Sequence, residues 1–142
     1  MIALLVLLII NAYILAITHE PRELVEVKEK YEILRKHIID TDHQKFHMLK
    51  RRVPITGVTA MNGTVGYNTN KGAEIVVCLG GSPNEIFHVL IHELAHCTVE
   101  EYSHSEQFWE NYIELRDMCT DIGIYEKIPD KTKFCGQHIQ DK

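Results

Sequence analysis

Residues 82–96 run Ser82-Pro83-Asn84-Glu85-Ile86-Phe87-His88-Val89-Leu90-Ile91-His92-Glu93-Leu94-Ala95-His96. The first four predict a helix start: Ser82 as N-cap, Pro83 at the first helical position and Glu85 closing a capping box. Ile86, Val89, Leu90 and Leu94 then recur at helical spacing. On such a helix His92 and His96, four apart, stack on one face a turn from each other, so their imidazoles can share one cation. Glu93 lies about 100° around from His92, placed to flank the cation and reach a water rather than to coordinate. Without an ion the same letters describe an amphipathic helix with two surface or capped histidines, so the neighbouring sequence must discriminate.

Three neighbours favour the metal. The helix start is legible independently of the histidines, and the helix follows a strand, Glu74 to Leu79, ended by Gly80-Gly81. His104 follows eight residues after His96, where the helix must end for the chain to turn back. A catalytic zinc site takes three protein ligands and leaves a fourth position to water, so His92, His96 and His104 would complete a set. A carboxylate of the next helix is the alternative third ligand, Glu114 ahead of Glu110. His88 sits one turn before His92, but one helix face seldom offers three ligands to a tetrahedral ion, so a surface or supporting place is expected. His19, His37, His43, His47 and His138 lack partner spacing.

Outward from this segment, residues 53–79 carry Val53, Ile55, Val58, Val65, Tyr67, Ile75, Val76, Val77 and Leu79, broken at Gly57, Asn62-Gly63 and Asn70-Lys71-Gly72. Short antiparallel strands are predicted, with Asn62-Gly63 as a two-residue hairpin turn. Phe108, Tyr112, Leu115, Cys119 and Ile122 mark a second helix over about 104–122, with Ser103 and Glu106 as its capping box and Gly123 at its end. Phe108 and Trp109 are expected to pack behind the active-site helix rather than to line a substrate pocket. Leu24, Val27, Tyr31, Leu34 and Ile38 predict an amphipathic helix over 21–39, docked onto the domain. In the tail from Ile124, Phe134 and Cys135 should tuck against the domain. The expected class is therefore α+β, a small antiparallel-rich sheet with an active-site helix and a following helix.

The chain has 142 residues, 45% hydrophobic and 25% charged, a balance for one packed domain and not for a disordered chain. A net charge of -5 gives no general attraction to phosphate backbones. Lys50, Arg51 and Arg52, with Lys45 upstream, form a cationic cluster that reads as a solvated face before a nucleic-acid patch. From Ile2 to Thr18 no side chain is charged, near the lower limit for a bilayer span. With no cation before it and a poor cleavage site after it, the segment reads as an uncleaved transmembrane anchor rather than a signal peptide. Arg22, Lys28 and Lys30 follow it, which favours a cytosolic domain. The boundaries expected are 1–18 anchor, 19–44 connector helix and 45–142 catalytic domain. Cys78, Cys97, Cys119 and Cys135 show no close-paired spacing and are expected as core thiols in a reducing compartment.

His92-Glu93-Leu94-Ala95-His96, seven intervening residues, His104 and then Phe108-Trp109 resemble the WLM family of zinc metallopeptidases, relatives of the SprT-like proteases that degrade proteins crosslinked to DNA. Small membrane-anchored forms from large DNA viruses are similar, with a strand like Glu74 to Leu79 before the metal helix and a pair like Cys135-Gly136 near the end. The resemblance spans about residues 45–136. It implies a minimal zincin fold, Zn2+ held by His92, His96 and His104, and Glu93 as the base that takes a proton from the attacking water. The spacing to His104 lacks the glycine of the metzincin type, and no DNA-binding or modifier-binding extension is recognisable, so the catalytic chemistry carries over and the repair role does not. The expected function is a membrane-anchored zinc endopeptidase acting on a protein or peptide. A zincin-shaped scaffold that cleaves nothing and a nucleic-acid-associated protease using Lys50, Arg51 and Arg52 are the alternatives. Tyr67 and Tyr102 are candidate donors to the developing oxyanion, and an extended substrate could pair with a sheet edge.

Overall fold

A computed structural model describes residues 1–142. Four helices, α1 (Ile2–Ile17), α2 (Arg22–Asp40), α3 (Pro83–His96) and α4 (Glu106–Asp121), combine with strands β1 (Ile55–Val58), β2 (Gly66–Thr69), β3 (Glu74–Cys78), β4 (Thr132–Phe134) and β5 (Gln137–Ile139). The architecture is α+β, as expected.

The sheet differs from the antiparallel expectation. Its order is β1-β3-β2, with β1 parallel and β2 antiparallel to β3. β3 takes the centre because Ile75, Val76, Val77 and Cys78 are all buried, and an unalternating apolar strand needs cover on both faces and both edges. β1 and β2 are therefore not neighbours, and Asn62-Gly63 makes no hairpin, although Gly63 does take a positive φ of 75°. The tight turn falls instead at Asn70, Lys71 and Gly72, with φ of 46°, 54° and 102°, joining β2 to β3.

α2 buries the five residues its spacing marked, Leu24, Val27, Tyr31, Leu34 and Ile38, in the same core as α3 and α4. The Tyr31 hydroxyl accepts from the Val53 N–H at 2.8 Å, fixing the chain as it enters β1. α3 begins with the full reciprocal capping box of Ser82 and Glu85. α4 is capped by Ser105, whose Oγ accepts from the Phe108 N–H at 3.1 Å, and not by Ser103; the helix starts two residues later than its charge pattern implied.

Two of the cysteines depart from the free-thiol expectation. Cys78, at the end of β3, is bonded to Cys135 across a sequence separation of 57 residues, while Cys97 and Cys119 are free. The bond seats a terminal hairpin that periodicity did not reveal, because β4 and β5 have only three residues each. Its turn, Cys135-Gly136, takes positive φ at both residues, the conformation of a two-residue hairpin loop. Gly80 and Gly81 do more than end β3. A Cβ on Gly80 would lie 2.5 Å from the Cys135 Sγ, and one on Gly81 would lie 2.7 Å from the Phe134 ring, so the glycines leave the room the hairpin occupies.

α1 stands apart from this core, with no buried residue. Its 16 residues rise about 24 Å, short of a hydrocarbon core of about 30 Å. No single helix is long and apolar enough to cross a membrane; α1 and α2 pass such a test only together, as a pair bent by 58°.

Candidate metal centre

α3 carries its polar cluster where it faces β2 and the loop leading to α4. His92 and His96 lie on one face with ring centroids 5.1 Å apart, and His104 comes in from the loop to 4.9 Å from each of them. The nearest nitrogens, His92 Nε2 and His104 Nε2, are 3.0 Å apart, and one ligand nitrogen from each of the three rings falls within 4.8 Å of the others. The three histidines picked from spacing therefore converge on a single point.

Behind them α4 supplies aromatic backing. The Phe108 ring is fully buried 4.4 Å from His96, and Trp109 lies 5.5 Å from His104 in a near-parallel stack. This is the packing role expected of the pair: the rings restrict how each imidazole can turn.

Burial sets the charge states. Desolvation, reinforced by the mutual repulsion of the cluster, lowers His92 to about 3; burial and His104 lower His96 to about 4. Both are neutral at pH 7, with lone pairs available to a cation. Glu93 is 7% exposed, and burial raises its carboxyl to about 7, close to the ambient value at which a proton is most readily exchanged. Neutral imidazoles at this separation match the donor set preferred by a borderline divalent ion, so the residues present fit a metal.

The cluster opens into a cleft of about 310 Å³ whose walls include Gly66, Tyr67, Asn68, Lys71 and Tyr102. Both tyrosines named as oxyanion donors reach it, Tyr102 being 73% and Tyr67 48% exposed. β2 forms the wall and is an edge strand. Val65 accepts from the Cys78 N–H, so by alternation Gly66 and Asn68 turn their main-chain groups away from β3, toward the open edge. A Cβ on Gly66 would lie 2.6 Å from Val89 and 3.5 Å from the Glu93 Cγ, so the absent side chain is what lets β2 approach Glu93.

The rival ligands lie elsewhere. Glu110 and Glu114 line a larger separate groove of about 720 Å³, and Glu114 is ion-paired with Lys45. Size misleads here, since that groove holds no converging ligand cluster. His88 is buried one turn behind His92 and is not a ligand. Tyr125 gives its single hydroxyl proton to Asp141 at 2.8 Å, so the His88 Nδ1, 2.9 Å from that hydroxyl, must be the donor to it. Asp141 also accepts from the Tyr112 hydroxyl and the Ile128 N–H at 2.8 and 2.6 Å. Burial would raise its carboxyl, but these donors and His88 outweigh burial and hold it well below the usual range. Neither Asp141 nor Lys71 was legible as a site residue, because no spacing connects either to the helix. The cationic cluster is occupied internally: Lys50 pairs with Asp42, Arg52 with Glu32 at 3.0 Å, and Arg51 donates to the Gly72 carbonyl.

The WLM domain pattern matches residues 48–141. An uncharacterized protein of Acanthamoeba polyphaga mimivirus is 32% identical over 85 residues, an alignment that takes in 53% of this chain and 43% of that one. The chain thus spans less than half the length of that curated relative. Among solved structures, the metallopeptidase zymogen of Pyrococcus abyssi abylysin is similar over 68% of this chain and 97% of its own, with a TM-score of 0.42 and 23% identity.

Proposed function

The chain belongs to the WLM domain family, and from that premise we propose that it is a zinc-dependent endopeptidase held at a membrane by α1. One observation carries the reading: three imidazole nitrogens and a buried carboxylate meet in one cleft beside an open strand edge. His92, His96 and His104 would hold the ion. Bound there, Zn2+ acidifies a water and polarises a peptide carbonyl.

The chain supplies the rest. A substrate strand lies along β2, where the outward main-chain groups of Gly66 and Asn68 fix the scissile bond over the cleft. A Glu93 carboxylate oxygen takes the proton of the attacking water and returns it to the leaving amide nitrogen, a double transfer open to a carboxylate that lines the same cleft as the three imidazoles. With their lone pairs committed to the ion, His92 and His96 would not compete for that proton. Membrane attachment is supported by the wholly exposed apolar surface of α1, which finds no partner in the domain.

The test is cleavage of an unfolded protein substrate together with metal analysis of wild type and Glu93→Gln. The proposal expects equal zinc in both and a cleavage rate reduced by roughly 10² to 10⁴ in the variant. Zinc in both with cleavage in neither identifies a scaffold instead.

A further inference from the structure

The third histidine lies in a stretch with no regular structure. Between the end of α3 at His96 and the start of α4 at Glu106, no helix or strand holds the chain, and His104 is exposed. Its position relative to His92 and His96 must be fixed by contacts from outside the loop.

The β2–β3 turn provides them. The Asn68 side-chain amide donates from Nδ2 to the Glu93 carbonyl at 2.8 Å, and its Oδ1 accepts from the Gly72 N–H at 2.7 Å, locking the turn against the last turn of α3. Lys71, held at a positive φ of 54°, reaches from the tip of that turn. Its ammonium donates to the His96 carbonyl at 3.1 Å and to the Glu101 carbonyl, and lies 4.3 Å from the centre of the Tyr102 ring. The carboxylate of Glu101 in turn accepts from Ser105, the residue that caps α4. A cation at a helix C-terminus is electrostatically favoured there, and its three protons allow it to bridge several carbonyls. One side chain therefore joins the hairpin, the end of the helix bearing two histidines and the loop bearing the third.

We propose that Lys71 is a positioning residue for the metal centre: by tying the Glu101–Tyr102 segment to the end of α3, it sets the distance of His104 from the His92 and His96 pair, and so sets metal affinity. This rests on the reading of the cluster as a metal site. The probe is Zn2+ alone, titrated into the metal-free full chain against a chromophoric chelator. Lys71→Met, which keeps most of the side chain and removes the charge, should bind zinc roughly 10- to 100-fold more weakly, the usual effect of losing a contact that orients ligands. Lys71→Arg should return affinity to within about threefold of wild type, since it restores a cation with several donors. Amide exchange of the metal-free proteins is the second readout: residues 97–105 should exchange faster in Lys71→Met, with α2 unchanged. Wild type that fails to bind zinc overturns the metal reading and this inference with it. Wild type that binds, with Lys71→Met binding equally tightly, overturns the role of Lys71 alone, whatever happens to its melting temperature.

Discussion

Replacing Cys135 with serine cuts the covalent link between β3 and the terminal hairpin while leaving the buried Phe134 and Ile139 in the sequence. The bridge spans 57 residues, and the loop-entropy relation for a closure of that size gives about 4 kcal/mol of stabilisation. Against a total of about 5–15 kcal/mol for a domain, that is a large share. With a urea dependence of about 1.5–2 kcal/mol per molar for a domain of this size, the midpoint should fall by about 2 M. The hairpin has little to replace the bond, since a two-stranded ribbon of three-residue strands is not stable alone. The assay is urea unfolding of oxidised wild type, reduced wild type and Cys135→Ser, with Cys119→Ser as a control for a cysteine outside the bridge. Reduced wild type and Cys135→Ser should coincide well below the oxidised protein. The reasoning is refuted if the oxidised and reduced proteins share a midpoint, or if peptide mapping finds Cys78 joined to Cys97 or Cys119.

Two further perturbations bear on the site. Gly66→Ala inserts a methyl 2.6 Å from Val89, so it should lower stability by about 1–3 kcal/mol and depress cleavage through displacement of β2 from Glu93, measured by thermal melting alongside peptidase rate. Asp141 is held below its ordinary value of 3.8 in the folded chain, so its contribution is complete above about pH 5, begins to drain as pH falls past that ordinary value and goes on draining until the lower folded value is passed. Asp141→Asn should accordingly flatten the loss of stability between pH 5 and pH 3 in acid titrations of the unfolding midpoint; an unchanged acid limb would contradict the donor network drawn around it.

Much of this was written in short-range pattern. The Ser82 to Glu85 cap, the His92 and His96 pair and the buried stripe of α2 each depend on residues within a few turns of one another, where spacing and geometry are linked directly. His104 was legible because a tetrahedral ion requires a third ligand, not because its loop has a recognisable shape. What escaped depends on contacts distant in sequence. The parallel pairing of β1 with β3 follows from burial of β3 on all sides, which a single strand's letters do not reveal. The hairpin moved from Asn62-Gly63 to Asn70-Lys71-Gly72 because turn residues tolerate positive φ without compelling the flanking strands to pair. Cys135 gave no sign of its partner, and Asp141 gathers donors from α3, α4 and two tail positions that only the folded chain brings together.

The Cys78–Cys135 bond also bears on where such a chain can work. Glutathione and thioredoxin keep cytosolic thiols reduced, so a structural bridge of this kind belongs to secretory lumens, cell exteriors or particle surfaces. That signal opposes the three cations after α1, a modest excess diluted by Glu23, Glu26 and Glu29. A reducing milieu would free the hairpin, loosen Asp141 from beneath His88 and slacken the helix that bears two of the three imidazoles. The bridge thereby makes the order of the hairpin, and of the helix packed behind it, depend on the redox poise around the domain.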